Sequence, residues 1–131
     1  MIGGQEVNYS EKAIQNKIIE RLKRIGAWVM KTQGGVAGTP IGTPDVIACI
    51  NGKFWAIEVK KIGGKLSLEQ ASQLTKLAKA EAMIIVTNEV YFDKGIGGFS
   101  NYKKVVYQEM SFNTDKTYLF LSHGIYEVIH D

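Results

Sequence analysis

Two acidic side chains fall on neighbouring predicted strands, where together they could hold a divalent cation. Asn51-Gly52 separates two apolar runs of strand length, and this dipeptide is the strongest short signal for a β-hairpin with a two-residue turn. Counting outward from that turn places Asp45 directly opposite Glu58. Opposed like charges repel, and carboxylates in apolar strands tend to protonate, so a cation between the two would remove both penalties.

Lys60 is predicted to project from the same face as Glu58, because side chains two residues apart on a strand point the same way. Its ammonium could contact a phosphate or the attacking water, and Mg²⁺ commonly keeps positions for both of these ligands. The alternative is a solvent-facing ion pair between Glu58 and Lys60 on an edge strand. That alternative does not explain the predicted burial of Asp45, so the pattern favours metal-assisted chemistry on a phosphate ester.

The composition is that of one globular domain with a real core. The chain has 131 residues, of which 45% are hydrophobic and 22% charged. The net charge of +3 permits a polyanionic partner without requiring one. A single cysteine, Cys49, excludes an internal disulfide, suits a reducing cytoplasm, and is expected to be a small core residue. We find no apolar run of membrane-spanning length and no signal peptide, so no membrane partner is expected.

Two helices and further strands are predicted around the hairpin. Asn8 or Ser10 caps a first helix that runs to about Ile25, and the capping box of Ser67 and Gln70 starts a second helix that runs to about residue 80. The strands are expected at Ala27–Lys31, Val46–Ile50, Phe54–Val59 and Ala82–Thr87.

The Gly-rich loop at residues 33–43 lacks the Gly-Lys-Ser/Thr ending of a phosphate-binding loop. It is either a flexible crossover between strands or a mobile flap over the metal site. Beyond Asn88 the pattern weakens, with short strands possible at 91–92, 102–110 and 116–129. This last segment could complete the sheet, contact DNA or form a dimer surface.

The carboxylate pair belongs to a longer series of motifs in a fixed order. The series is Glu11-x-x-x-Gln15, Gly42-Thr43-Pro44-Asp45, Glu58-Val59-Lys60 and Gly64-Lys65-Leu66-Ser67-x-x-Gln70. Each motif lies on its expected element, and the set resembles the VRR-NUC branch of the PD-(D/E)xK nuclease superfamily, known from small phage and bacterial nucleases and from larger DNA-repair nucleases. The resemblance runs from Glu11 to about Thr87.

This resemblance implies a mixed αβ fold with a restriction-endonuclease-like core, in which a central mixed sheet carries the site on a β-hairpin and two helices flank it. It implies a DNA endonuclease using Mg²⁺ or Mn²⁺, with Asp45, Glu58 and the Val59 carbonyl as ligands and Glu11 contacting the metal directly or through water. Lys60 would position the water and stabilise charge on the scissile phosphate. The resemblance also places Gln70 beside the site, in addition to its capping role.

Helix phase bears on which polar residue of the first helix joins the site. At about 100° per residue, Glu11 and Gln15 share the sector that faces the sheet, whereas Glu20 points the opposite way. The phase therefore selects Glu11, with Gln15 one turn along. The spacing in related archaeal junction-resolving nucleases would put the helix glutamate nearer Gln15, so Gln15 is a second candidate. The alternative for Glu11 is a first-turn acid favoured by the helix dipole.

The resemblance also points to branched DNA, Holliday junctions especially, as the substrate, and to products with a 3′-hydroxyl and a 5′-phosphate. A duplex nuclease of the same fold and an inactive DNA-binding module are the alternatives. Because resolving a junction needs two symmetric cuts, we expect a two-fold homodimer. We expect residues 1–131 to form one nuclease domain, with a core at about 8–88 and an extension at 89–131, acting in a bacterial or phage-infected host cytoplasm.

Overall fold

Seven strands and two helices lie in the residues that this computed structural model describes, which are 9–33, 37–89 and 101–129. The segment at 91–92 lies outside those residues. A 3₁₀ turn at Tyr107–Glu109 follows the fifth strand. In chain order the elements are α1 (Glu11–Arg24), β1 (Trp28–Lys31), β2 (Val46–Ile50), β3 (Lys53–Val59), α2 (Leu68–Lys79), β4 (Met83–Thr87), β5 (Tyr102–Val105), β6 (Thr117–Leu121) and β7 (Gly124–Val128).

All seven strands form one mixed sheet in the order β1-β2-β3-β4-β6-β7-β5. The β3 and β4 strands are parallel, with α2 as the crossover between them, and the other pairs are antiparallel. The predicted mixed αβ fold, with a hairpin-bearing sheet and two flanking helices, is therefore confirmed. Residues 102–128 complete the sheet beyond β4, one of the three roles left open for this segment.

The hairpin between β2 and β3 has the predicted register. Asn51 and Gly52 have φ angles of 51° and 80°, the positive values that a type I′ turn requires at both central residues. The paired residues run from Ile50 and Lys53 at the turn to Val46 and Ile57 at the far end. Asp45 and Glu58 are the next residues beyond the last pair, so the turn chemistry alone brings them together.

Both helices begin at the predicted serine caps. The backbone N–H of Ala13 donates to Ser10 Oγ at 3.1 Å, and the backbone N–H of Gln70 donates to Ser67 Oγ at 3.1 Å. These caps satisfy N–H groups that have no partner within the first turn of a helix.

Among the described residues, no helix is long and apolar enough to cross a membrane.

The two helices pack on opposite faces of the sheet. Helix α1 buries Ile14, Ile18 and Leu22 against β1, β2 and β3. Helix α2 buries Leu74 and Ala78 on the other face, over β4 and β6. Each helix therefore covers only part of its face.

The prediction that Cys49 is a core residue is wrong, because its side chain is exposed. Cys49 pairs directly with Trp28 on β1 and with Phe54 on β3, and directly paired residues project from the same face. All three side chains are exposed. These side chains lie on the α2 side of the sheet. Helix α2 packs over β4 and β6 and does not extend across to this row.

Candidate active site

The open end of the hairpin holds the carboxylate pair. Asp45 Oδ2 accepts a hydrogen bond from the backbone N–H of Val59 at 2.8 Å, which orients this carboxylate across the two strands. Glu58 is only 1% exposed, and its Oε1 is fully buried without a hydrogen-bond partner among the described residues. Asp45 is half-buried, less than its register suggested.

The surroundings of Glu58 disfavour its charged form. Burial, together with the nearby Asp45 carboxyl, raises the pKa of Glu58 from an ordinary value of 4.5 to about 9, although Lys60 offsets part of the rise. Without a cation, Glu58 therefore holds a proton at neutral pH, and the two carboxyl groups can share it in a hydrogen bond. A bound cation would displace that proton and provide the partner that Glu58 Oε1 lacks.

Lys60 and Gln70 complete a closed set of contacts with Glu58. Lys60 Nζ donates to Gln70 Oε1 at 2.8 Å and lies 3.4 Å from Glu58 Oε2. The Gln70 Nε2 group donates to the same Glu58 oxygen at 3.2 Å. Lys60 is only 7% exposed, so its ammonium is held in one place by two partners.

Gln70 serves the helix and the site at once. Its Oε1 also accepts from the backbone N–H of Ser67 at 2.9 Å, which completes the predicted capping box. The first turn of α2 therefore presents its amide to Lys60 and Glu58 because the cap orients it. Both roles foreseen for Gln70, the structural one and the position beside the carboxylates, are observed together.

Backbone contacts that the sequence reasoning missed hold Asp45 in place. The Thr32 N–H donates to the Asp45 carbonyl at 2.8 Å, and the Thr32 hydroxyl donates to the Pro44 carbonyl. Gly42 packs on α2 so closely that an added Cβ would lie 2.6 Å from the Glu69 carbonyl oxygen. The glycine of the Gly42-Thr43-Pro44-Asp45 motif was the available signal for this close approach, since only glycine fits it.

The polar residues of α1 lie outside this cluster. Glu11 Oε2 accepts from the backbone N–H of Lys61 at 3.2 Å, just beyond the end of β3. Gln15 is buried on the face that α1 covers, and Glu20 is exposed in an ion pair with Arg24. Within residues 9–33, 37–89 and 101–129, no three His, Cys, Asp or Glu side chains stand close enough together to hold a metal.

The structure thus joins Asp45, Glu58, Lys60 and Gln70 in one cluster, and Val59 is linked to it through its N–H. Two facing carboxylates, one with an unpartnered buried oxygen, are a hard oxygen donor set, which fits Mg²⁺ or Mn²⁺. The remaining coordination positions would be left to water, a backbone carbonyl and a phosphate oxygen. The metal-binding and catalytic roles of the clustered residues, of the Val59 carbonyl, and of Glu11 and Gln15 stay predictions.

No protein-family model matches the chain, and no curated protein is detectably similar to it. Among solved structures, the chain is similar to Hjc, a Holliday junction resolvase from the archaeal hyperthermophile Archaeoglobus fulgidus, with 25% sequence identity and a TM-score of 0.45. The match covers 58% of this chain and 63% of the resolvase chain. Because the overlap is partial and the TM-score is low, the function is inferred from the site residues.

Proposed function

We propose that this chain is a divalent-metal-dependent endonuclease that hydrolyses phosphodiester bonds in DNA. The observation that carries the proposal is the Asp45–Glu58 pair, in which Glu58 is buried and its Oε1 has no hydrogen-bond partner among the described residues. Such a pair of carboxylates is costly unless a cation or a proton lies between them. The lysine beside it adds a positive charge where a phosphate would need one.

Asp45 and Glu58 would hold Mg²⁺ or Mn²⁺, with help from the Val59 carbonyl and from Glu11, directly or through water. When bound, such an ion lowers the pKa of a coordinated water and offsets the charge that develops on the phosphate. The Val59 N–H keeps the Asp45 carboxylate turned toward Glu58, because it donates to Oδ2 at 2.8 Å.

Lys60 would stabilise the negative charge of the scissile phosphate and position the attacking water. Gln70 Oε1 holds the Lys60 ammonium at 2.8 Å, so its charge is already placed before the reaction. Preorganised charge of this kind costs no reorganisation when the transition state forms. Gln70 is therefore a positioning residue, which acts through Lys60 and Glu58.

We further propose that the chain belongs to the VRR-NUC branch of the PD-(D/E)xK nucleases and is a single nuclease domain of the cytoplasm. The ordered motifs from Glu11 to Gln70 support this assignment, and the net charge of +3 is compatible with a DNA partner. The proposed substrate is branched DNA such as a Holliday junction, cut to leave a 3′-hydroxyl and a 5′-phosphate. Paired cutting of a junction would require a two-fold homodimer.

The test is a cleavage assay on end-labelled linear, flap, splayed and four-way DNA of matched sequence. We expect cleavage with Mg²⁺ or Mn²⁺, no cleavage in EDTA, and faster cutting of branched than of linear DNA. Equal rates on linear and branched substrates would favour a duplex nuclease instead. DNA binding without cleavage of any substrate would overturn the nuclease proposal and favour an inactive DNA-binding module.

The oligomeric state tests the paired cutting of junctions separately. Light scattering of the free protein and of its complex with four-way DNA should give the mass of a dimer. A monomer in both measurements would reject paired resolution and leave a flap or single-strand nicking activity.

A further inference from the structure

A surface of exposed apolar side chains lies on the α2 side of the sheet, toward the turn end of the hairpin whose open end holds the carboxylate pair. Trp28, Cys49 and Phe54 form one row across β1, β2 and β3, because Cys49 pairs with both of the others. Met30 follows Trp28 on the same face, two residues along β1. Trp28 is 61% exposed, and Met30 and Phe54 are each 44% exposed. We call the surface formed by Trp28, Met30 and Phe54 the aromatic face, after its two aromatic side chains.

The aromatic face continues into an open groove of about 470 Å³. Its floor includes Met30, Ile47 and Phe54 from the sheet, and Gln73 from α2 forms part of a wall. Pro44 lines the end of the groove nearest the site and directly precedes Asp45. Phe54 is four residues from Glu58 and Cys49 is four residues from Asp45, which corresponds to roughly 13 Å along each strand. Ile47 lies midway between Cys49 and Asp45 on the same face.

The polar lining of the groove is compatible with an anionic occupant. None of the described residues that line it is acidic, so the negative charge of a nucleotide meets no like charge there. The glutamine amides of the lining can donate to or accept from the edges of nucleobases, whereas the Thr32 and Thr43 hydroxyls already donate to backbone carbonyls and can only accept. A flat aromatic surface beside such groups, on the same face as a phosphate-cleaving site, suits a nucleic-acid strand whose bases stack there while a phosphate further along the strand enters the site.

We propose that the aromatic face binds unpaired bases of the DNA strand a few nucleotides from the scissile phosphate, with Phe54 and Trp28 as stacking surfaces. This inference rests on the proposed nuclease function and specifies its substrate class. A base inside a duplex is already stacked on its neighbours, so these side chains favour only DNA with unpaired nucleotides near the cut. Flap, splayed and single-stranded DNA are then bound more tightly than linear duplex.

Tryptophan fluorescence gives a direct readout of this contact. The chain has two tryptophans, and Trp55 is only 5% exposed whereas Trp28 is 61% exposed. Titrating the full chain with a single-stranded oligonucleotide in EDTA should quench the emission of Trp28. In Trp28→Phe, which keeps an aromatic ring there, the quenching should disappear while binding, followed by anisotropy of labelled DNA, remains.

A double-mutant cycle between protein and DNA identifies the occupant. Phe54→Ala or Trp28→Ala should each weaken binding of flap DNA in EDTA by about 5- to 150-fold, the range for one base–aromatic stack. Abasic sites in the unpaired strand should weaken wild-type binding similarly but have little further effect on these variants. Tyr102→Ala is the matched control, because Tyr102 is 47% exposed on β5 at the far end of the sheet. Circular dichroism should show that all variants are folded.

Additive losses from the abasic sites and the aromatic substitutions would overturn the inference. So would conversion of a dimer to a monomer by Phe54→Ala or Trp28→Ala without any coupling to the bases, since the surface would then hold a second copy of the chain. The two proposals fail separately. Wild-type cleavage without base coupling rejects only the aromatic face, whereas base coupling without cleavage in Mg²⁺ or Mn²⁺ rejects only the nuclease.

Discussion

The two helices resemble each other in sequence signals, yet they contribute to the site in different ways. Each begins at a serine cap and carries a glutamine close to its start, at Gln15 in α1 and Gln70 in α2. Gln70 contacts both Lys60 and Glu58, whereas Gln15 is buried on the other face of the sheet. A glutamine early in a helix therefore does not indicate by itself that the side chain reaches the site.

The difference follows from the alternation of side chains along β3. Val59 faces the core under α1, and its neighbours Glu58 and Lys60 face the side that α2 covers. A residue of α1 can reach the carboxylates only around the end of the strand. Glu11 lies there, because its carboxylate accepts from the N–H of Lys61.

The largest effects are expected from substitution of the two carboxylates, Asp45 and Glu58. Asp45→Asn and Glu58→Gln should each abolish detectable cleavage and weaken divalent-metal binding while keeping the fold. The metal-free variants should be slightly more stable than the wild type, because the wild type must either protonate Glu58 or hold two like charges together. Calorimetric titration with Mn²⁺ and thermal unfolding in EDTA measure these effects. Unaltered Mn²⁺ binding in both variants would disprove the metal site.

The contribution of α1 is tested next, by Glu11→Gln. If this carboxylate contacts the metal directly or through water, turnover should fall by about 100-fold, a typical loss for one electrostatic contact to the reacting centre. Gln15→Ala should cause a modest loss. The assay needs saturating DNA and a Mg²⁺ titration, so that weaker metal binding is separated from slower chemistry.

Glu20→Gln is the matched control on the same helix, because Glu20 is exposed and pairs only with Arg24 among the described contacts. Its turnover should stay within about twofold of wild type, as for most surface substitutions. Full activity of Glu11→Gln would mean that α2 alone serves the site. An inactive Glu20→Gln would contradict the observed face of α1.

The contribution of α2 is tested by Gln70→Ala, which removes the acceptor for Lys60 and the donor to Glu58. Loss of such a supporting contact should lower metal affinity or activity by about 10- to 100-fold. Ser67→Ala separates this role from capping, because it removes the cap and leaves the Gln70 side chain present. It should cost about 1 kcal/mol of stability with little change in turnover. Equal activity losses in the two variants would mean that Gln70 acts only through the helix.

The last prediction is a dependence of stability on pH in the metal-free protein. The folded state raises the pKa of Glu58 from 4.5 to about 9, so between these values it binds more protons than the unfolded state. Stability from this group is therefore complete below about pH 4.5 and is lost as the pH rises toward 9. Thermal unfolding in EDTA should show this decline, and Glu58→Gln should remove it. Glu20→Gln should retain it, and a decline of the same size in Glu58→Gln would refute the assignment.

The amino-acid sequence by itself determined the parts of this protein that depend on local geometry. The Asn51-Gly52 turn sets the register that brings Asp45 to Glu58, because positive φ at both residues permits a two-residue hairpin. The serine caps are hydrogen bonds between residues near each other in the chain, and the alternation of side chains follows from the geometry of each strand. They were correctly predicted because no distant contact is needed to specify them.

Only the tertiary structure decided what each face of the sheet meets. Alternation separates the two faces of a strand, but it does not say which helix covers either face or how far the cover extends. The exposure of Cys49, the burial of Gln15 away from the carboxylates and the raised pKa of Glu58 all follow from that long-range packing. The same holds for residues 102–128, whose short strands are stable only where β4 offers a free edge to pair with.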